Sequence, residues 1–127
     1  MPTELKMLTL REHSMTISKG DIWLANINPQ KRSNEIGKTR PVVVIQSNLL
    51  NQSDYSTVIV LPMTTVLIDD SEPLRFRVKK MKELEADSDV LIAYARAIDK
   101  ERLLQKLGAL SNSEMDKIRT LFNEIVF

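Results

Sequence analysis

The run Arg40-Pro41-Val42-Val43-Val44-Ile45 sets a cation, a residue without an N–H and four aliphatic side chains next to one another. All four aliphatics branch at Cβ, which favours extended backbone, and the run is too short for a helix. An unbroken apolar run predicts a strand buried on both faces, because a strand with one wet face would alternate. Pro41 stands at its first position, where a missing donor is tolerated. The residue ahead of a proline is pushed toward extended geometry, so Arg40 is aimed from the mouth of the strand.

A strand covered on both faces needs neighbours, and the flanking sequence supplies them. Toward the N-terminus, Asp21 to Ile27 follows Gly20, alternates loosely and ends at Pro29, as a strand running into a loop does. Toward the C-terminus, Asn51 to Asp54 predicts a polar turn, and Thr57 to Leu61 a third strand halted by Pro62, with Thr64 and Thr65 just beyond. Leu74, Phe76 and Val78 alternate with Arg75, Arg77 and Lys79, the pattern of a strand with one wet face. Val90 to Ala97 predicts a further strand. Asp99 to Leu107 is helical in composition and stops at Gly108, a C-cap signal. Ser111 and Glu114 fit a capping box for a last helix, whose Met115, Ile118, Leu121, Phe122 and Ile125 share one face.

Five short strands, their turns and a packed C-terminal helix predict a mainly β fold, a small, partly open β-barrel. Residues 1–18 show only weak periodicity, with Leu5, Leu8 and Leu10 as the marks of a short helix and Met15 as an alternative start. They read as an N-terminal extension to a domain spanning residues 19–127.

Composition narrows the function classes. With 127 residues and 43% apolar content the chain is sized for one domain with one core. It has no cysteine, so disulfides, thiolate metal sites and cysteine nucleophiles are excluded, and His13 is its one histidine. No apolar run reaches the roughly 18 residues of a membrane span, and no signal-peptide pattern opens the chain, so a soluble cytoplasmic protein is expected. Lys and Arg total 18 against 17 acids, so only local charge speaks of a polyanionic partner. That charge gathers from Gln30 to Arg40, where Lys31, Arg32, Lys38 and Arg40 face Glu35 alone.

Arg40 offers a planar fork of five donors that keeps its charge, suited to a phosphate and to the extra charge of a phosphoryl transition state. The residues alone also allow a surface arginine paired with Glu35 or Asp21. Thr64 and Thr65 follow a buried strand, where hydroxyls can hold a phosphate oxygen, and threonine also fills ordinary turns there. The basic loop from Lys31 to Lys38 can track a single-stranded nucleic acid, with Trp23 or Tyr55 as a stacking face. No Gly-rich phosphate cradle, His-x-x-x-His pair or Ser/His/Asp set occurs.

Five motifs in order resemble those of the MazF/PemK toxins of bacterial toxin–antitoxin systems. They are Gly20-Asp21-Ile-Trp-Leu, Asn28-Pro29, Glu35-x-Gly37-Lys38-Thr39-Arg40-Pro41-Val-Val-Val-Ile, Val58-Ile-Val-Leu-Pro-Met-Thr64-Thr65, and Arg96-Ala-Ile-Asp99-Lys-Glu-Arg102-Leu. The likeness runs from about Lys19 to Phe127. It implies an SH3-like barrel with a C-terminal helix, a homodimer, and a metal-independent, cofactor-free endoribonuclease that cuts single-stranded RNA at short sequences. It also implies a MazE-like antitoxin whose tail lies across the RNA groove, with DNA bound only through that complex. The family's key arginine falls on Arg40 and its active-site hydroxyl on Thr64; for proton removal the mechanism looks to Glu35 or a neighbour. Substrate contacts fall on Lys31, Arg32, Lys38, Thr39, Thr65 and Trp23.

Ala93 and Tyr94 stand where relatives often carry an acidic residue and Gln, which leaves open an inactive RNA-binding relative. The same barrel serves the CcdB-type toxins, which poison DNA gyrase by protein contact, so a non-enzymatic toxin is the rival class. The loop from Gly37 to Pro41 and the threonine pair are needed by the ribonuclease and not by the gyrase binder.

Overall fold

In the computed structural model, which describes residues 17–27 and 39–127, the central aliphatic run is closed off from solvent, with Val42, Val43 and Val44 fully buried. They lie in strand β2 (Thr39–Val44), flanked antiparallel by β1 (Asp21–Asn26) and β3 (Thr57–Thr64). Strands β4 (Arg75–Val78), β5 (Ser88–Leu91), β6 (Arg96–Asp99) and β7 (Leu103–Ala109) follow, with helices α1 (Asn48–Asn51) and α2 (Asn112–Val126). The sheet runs β4-β5-β3-β2-β1-β7, with β6 also paired to β3. The end strands β4 and β7 do not pair, so the sheet is open, as a partly open barrel requires. Among the described residues no helix is long and apolar enough to cross a membrane.

Alternation along the strands divides the core in two. Ile22, Val43, Leu61 and Met63 pack with Ile118 and Leu121 of α2, while Trp23, Ala25, Val42, Val44, Val58 and Val60 meet Ile17, Ile98 and Leu103 on the other face. Helix α2 begins with the expected capping box: Ser111 accepts from the Glu114 N–H at 3.1 Å and the Glu114 carboxylate accepts from the Ser111 N–H at 2.8 Å. Its apolar face is core, with Met115, Phe122 and Ile125 packed around Ile118 and Leu121.

Among the described residues 7 strands replace the expected five, and each departure has a local cause. Asp99 to Leu107 is not a helix; a single 3-10 turn, Lys100–Arg102, leads into β7, and Gly108 lies within that strand. The register of β7 on β1 shifts twice, so that Trp23 opposes Lys106 after Ile22 opposes Gly108, and Ala25 opposes Leu103 after Leu24 opposes Gln105. Leu103 and Leu107 are buried in opposite halves of the core with three exposed residues between them, so the bulged strand shows no strict alternation. Val90 to Ala97 is also broken, by a 3-10 turn at Ile92–Tyr94 between β5 and β6.

Pro62 does not halt β3. Ile45 donates to the Ile59 carbonyl at 3.0 Å, so alternation makes Val42–Pro62 a non-bonded pair, and the missing N–H would point away from β2. On that far side β3 passes from β6, paired through Val60, to β5, paired from Met63, and Pro62 falls in the gap.

The polar stretch after β2 holds the one-turn helix α1, capped by Ser47, too short to show periodicity. Its end is closed by the buried ammonium of Lys100, which donates to the carbonyls of Leu50, Asn51 and Ser53 at 3.0, 3.1 and 3.0 Å. Burial holds the pKa of Lys100 below its ordinary value, with Asp54 opposing. The expected helix around Leu5, Leu8 and Leu10 and the basic loop with Lys31, Arg32, Glu35 and Lys38 lie outside the described residues.

Candidate active site

Arg40 is the second residue of β2 and is exposed, opposite Ala25 of β1. It makes no ion pair with any described residue. Asp21, one of the two acids that would have neutralised it, is buried and engaged elsewhere: it accepts from Ser18 N–H and Trp23 Nε1 at 2.8 and 3.2 Å and pairs with Lys106 at 3.3 Å.

On the side of β3 the ladder ends at Val42 opposite Pro62. Two residues beyond that last pair stand Arg40 on β2 and Thr64 on β3, past the end of the ladder. From Thr64 a paired row crosses the sheet, since Thr64 opposes Asp89 of β5, and Asp89 opposes Arg77 of β4. Strand pairing therefore brings Thr64, Asp89 and Arg77 into line across β3, β5 and β4, while Arg40 lies on β2, the strand next to β3.

Thr64 is half-buried, and its Oγ1 accepts from the Val66 N–H at 3.1 Å. That bond occupies a lone pair and leaves the hydroxyl proton available to a phosphate oxygen. Thr65 is exposed and, with Pro41, lines a separate hollow of about 550 Å³ that also takes in Leu24, Glu83, Leu84 and Gln105. Thr39 is exposed opposite Asn26 at the start of β2.

Trp23 corrects the expectation made of it. Its side chain is only 3% exposed, belongs to the core and donates to Asp21, so it offers no stacking face to a base. Tyr55 is exposed, as is Tyr94 on the 3-10 turn after β5.

Sequence reasoning missed the groups that hold the far end of the row. Asp89 is 1% exposed, and both its oxygens are bonded. Ile68 N–H and Arg75 Nη1 reach Oδ2 at 3.0 and 3.1 Å, Arg77 Nε reaches Oδ1, and Arg77 Nη2 also reaches Asp69 at 3.0 Å. A further bond in the same knot runs from Arg75 Nη1 to the Val66 carbonyl at 2.8 Å. Burial pushes the Asp89 carboxyl upward, but the bonds from Arg77, Ile68 and Arg75 outweigh it and hold the carboxyl below its ordinary value. Arg77 is raised in turn, chiefly by its hydrogen bond to Asp89. The available signal was the pair of arginines alternating on β4, which read as a solvated face. Among the described residues no three of His, Cys, Asp and Glu gather as metal ligands would.

The chain matches a family model described as the PemK-like, MazF-like toxin of type II toxin–antitoxin systems, over residues 18–126. It is 39% identical over 104 residues to a Staphylococcus epidermidis protein named Endoribonuclease MazF, covering 80% of this chain and 84% of that one. Among solved structures it is similar to the Mycobacterium tuberculosis toxin MazF-mt6, with a TM-score of 0.67 at 19% identity over 82% of this chain and 93% of that one. A MazE-MazF crystal structure from Deinococcus radiodurans matches with a TM-score of 0.66 at 14% identity, over 87% of this chain and 94% of that one. At such identities these two matches speak for the fold.

Proposed function

The chain belongs to the PemK-like, MazF-like toxins of type II toxin–antitoxin systems, and from that premise we propose that it is an endoribonuclease that cuts single-stranded RNA. The observation that carries this reading is the exposed Arg40, unpaired among the described residues, on β2, with the half-buried Thr64 hydroxyl on the adjacent strand β3. The relative named Endoribonuclease MazF supports the activity. A gyrase-binding toxin has no need of either residue, and the family match does not favour it.

The reaction proposed is attack by the substrate's own 2′-OH on the adjacent phosphorus. The 2′ oxygen gives up its proton and forms a bond to phosphorus, the bond from phosphorus to the 5′ oxygen breaks, and that oxygen takes up a proton. The products are a 2′,3′-cyclic phosphate and a 5′-OH, with no metal required. Arg40 neutralises the crowded phosphorane and supplies the proton-donating environment of the leaving oxygen. Thr64 donates to a non-bridging oxygen, and Glu35 or a neighbour in the basic loop assists removal of the 2′ proton. Fixed donors aimed at developing charge lower the barrier more than any other device in catalysis of this kind. A MazE-like antitoxin, of the kind named beside MazF in the Deinococcus radiodurans crystal structure, and a homodimeric state complete the proposal.

The purified chain should cut a defined long RNA in EDTA and leave cyclic phosphate and 5′-hydroxyl ends, while a 2′-deoxy substitution at a mapped site should protect that bond. Cleavage of the deoxy-substituted strand, or loss of activity in EDTA, would overturn the mechanism; an RNA left whole under all conditions would overturn the function.

A further inference from the structure

The hydroxyl of Thr64 sits at the end of a short chain of hydrogen bonds whose other end is buried. Thr64 Oγ1 accepts from Val66 N–H at 3.1 Å, the Val66 carbonyl accepts from Arg75 Nη1 at 2.8 Å, and the same Nη1 donates to Asp89 Oδ2 at 3.1 Å. Asp89 Oδ2 also takes the Ile68 N–H at 3.0 Å, so both Val66 and Ile68 are fastened to β4 and β5. Without those bonds the segment after β3 has little to hold it, since Thr65, Val66, Leu67 and Ile68 are all exposed. The carboxylate stays ionised in its buried place because Arg77 and Arg75 satisfy it on both oxygens.

We infer that Asp89, acting through Arg75 and the Val66 peptide, is a positioning residue that holds the Thr64 hydroxyl in place for cleavage. This rests on the ribonuclease reading above. The Val66 N–H takes one lone pair of Oγ1 from a fixed direction, which leaves the proton and the remaining lone pair for the RNA phosphate. Neither Asp89 nor Arg75 needs to touch RNA for this. Displacing a reacting group by about 1 Å is enough to lower a rate roughly 10²-fold.

Single-turnover cleavage of one defined RNA, with enzyme in excess, tests the inference for the full chain, Thr64→Ala, Arg75→Met, Asp89→Asn and the two double variants with Thr64→Ala. Arg75→Met and Asp89→Asn should each lower the rate constant by about 10- to 10²-fold with half-saturation little changed. Neither should lower it further once Thr64 is alanine, because a positioning residue has nothing left to position. Should Thr64→Ala fall below measurement, the single variants decide: a loss in Arg75→Met with half-saturation unchanged supports the inference, and a rate within about threefold of the parent overturns it. Arg75→Met keeps the Asp89–Arg77 bond, so it serves if Asp89→Asn fails to fold. Losses that multiply with that of Thr64→Ala, or single variants within about threefold of the parent, would overturn the inference while leaving the nuclease standing. A parent chain that does not cut RNA would overturn both together.

Discussion

At the mouth of β2 an arginine stands exposed with no acid bound to it among the described residues, while on β4, at the edge of the same sheet, Arg75 and Arg77 are gripped by a buried carboxylate. The chemistry of the side chain is the same in both places. What differs is the neighbour that the sheet register supplies: Ala25 opposite Arg40, Asp89 opposite Arg77. A guanidinium held by backbone alone keeps its charge for a ligand, whereas one held by a carboxylate commits its donors to the protein and stiffens what lies around it. The largest expected effect follows from the first case. Arg40→Ala should lower RNA cleavage about 10²- to 10³-fold. Its melting temperature should stay within about 2 °C of the parent, because an exposed residue with no partner among the described residues contributes little to stability. A cleavage rate unchanged in Arg40→Ala would remove the contrast between the two regions.

The second case predicts the reverse pattern, a loss of stability. Asp89→Ala should destabilise the fold at neutral pH by about 3 kcal/mol, the lower end for a broken buried pair. The lower end applies because Arg75 and Arg77 are 21% and 35% exposed and can turn to water once released. The pH dependence has a definite sign. The Asp89 carboxyl is held below its ordinary value in the folded state, so its contribution is fully present above the unfolded value, about pH 4, and is lost as pH falls through the lower native value. Urea unfolding of parent and variant should therefore show a gap at pH 7 that closes in strong acid. A gap that stayed constant would mean that packing, not charge, is what Asp89 contributes.

The two regions were also unequally legible. Arg40 and Thr64 could be singled out as candidates because each is tied to a local signal, a proline after the arginine, a β-branched run, and a strand ahead of the threonine. The fold's central strand and its capped last helix were local in the same sense. Asp89 draws its donors from Arg77, Arg75 and Ile68, which are 12, 14 and 21 residues away, and no short window of sequence contains that knot. Strand β7 failed for a related reason: its two bulges depend on pairing with β1, at the opposite end of the described chain. Trp23 was misjudged because a lone aromatic looks alike in sequence whether it faces a ligand or a core, and only the indole bond to Asp21 and the packing of Ala25 and Val42 around it decide the matter.

The smallest effect sharpens the comparison within the second region. Asp69 meets Arg77 at 3.0 Å, a distance comparable to those from Ile68 and Arg75 to Asp89, but its side chain is 81% exposed. Exposed ion pairs gain little over water and are screened by salt. Asp69→Asn should therefore shift the melting temperature by about 2 °C or less, and that shift should vanish in about 1 M salt. Arg77 would keep its bond to the buried carboxylate and with it its place on β4. A shift as large as that of Asp89→Ala would mean that the three groups act as one unit, and burial would no longer explain which arginines the fold depends on.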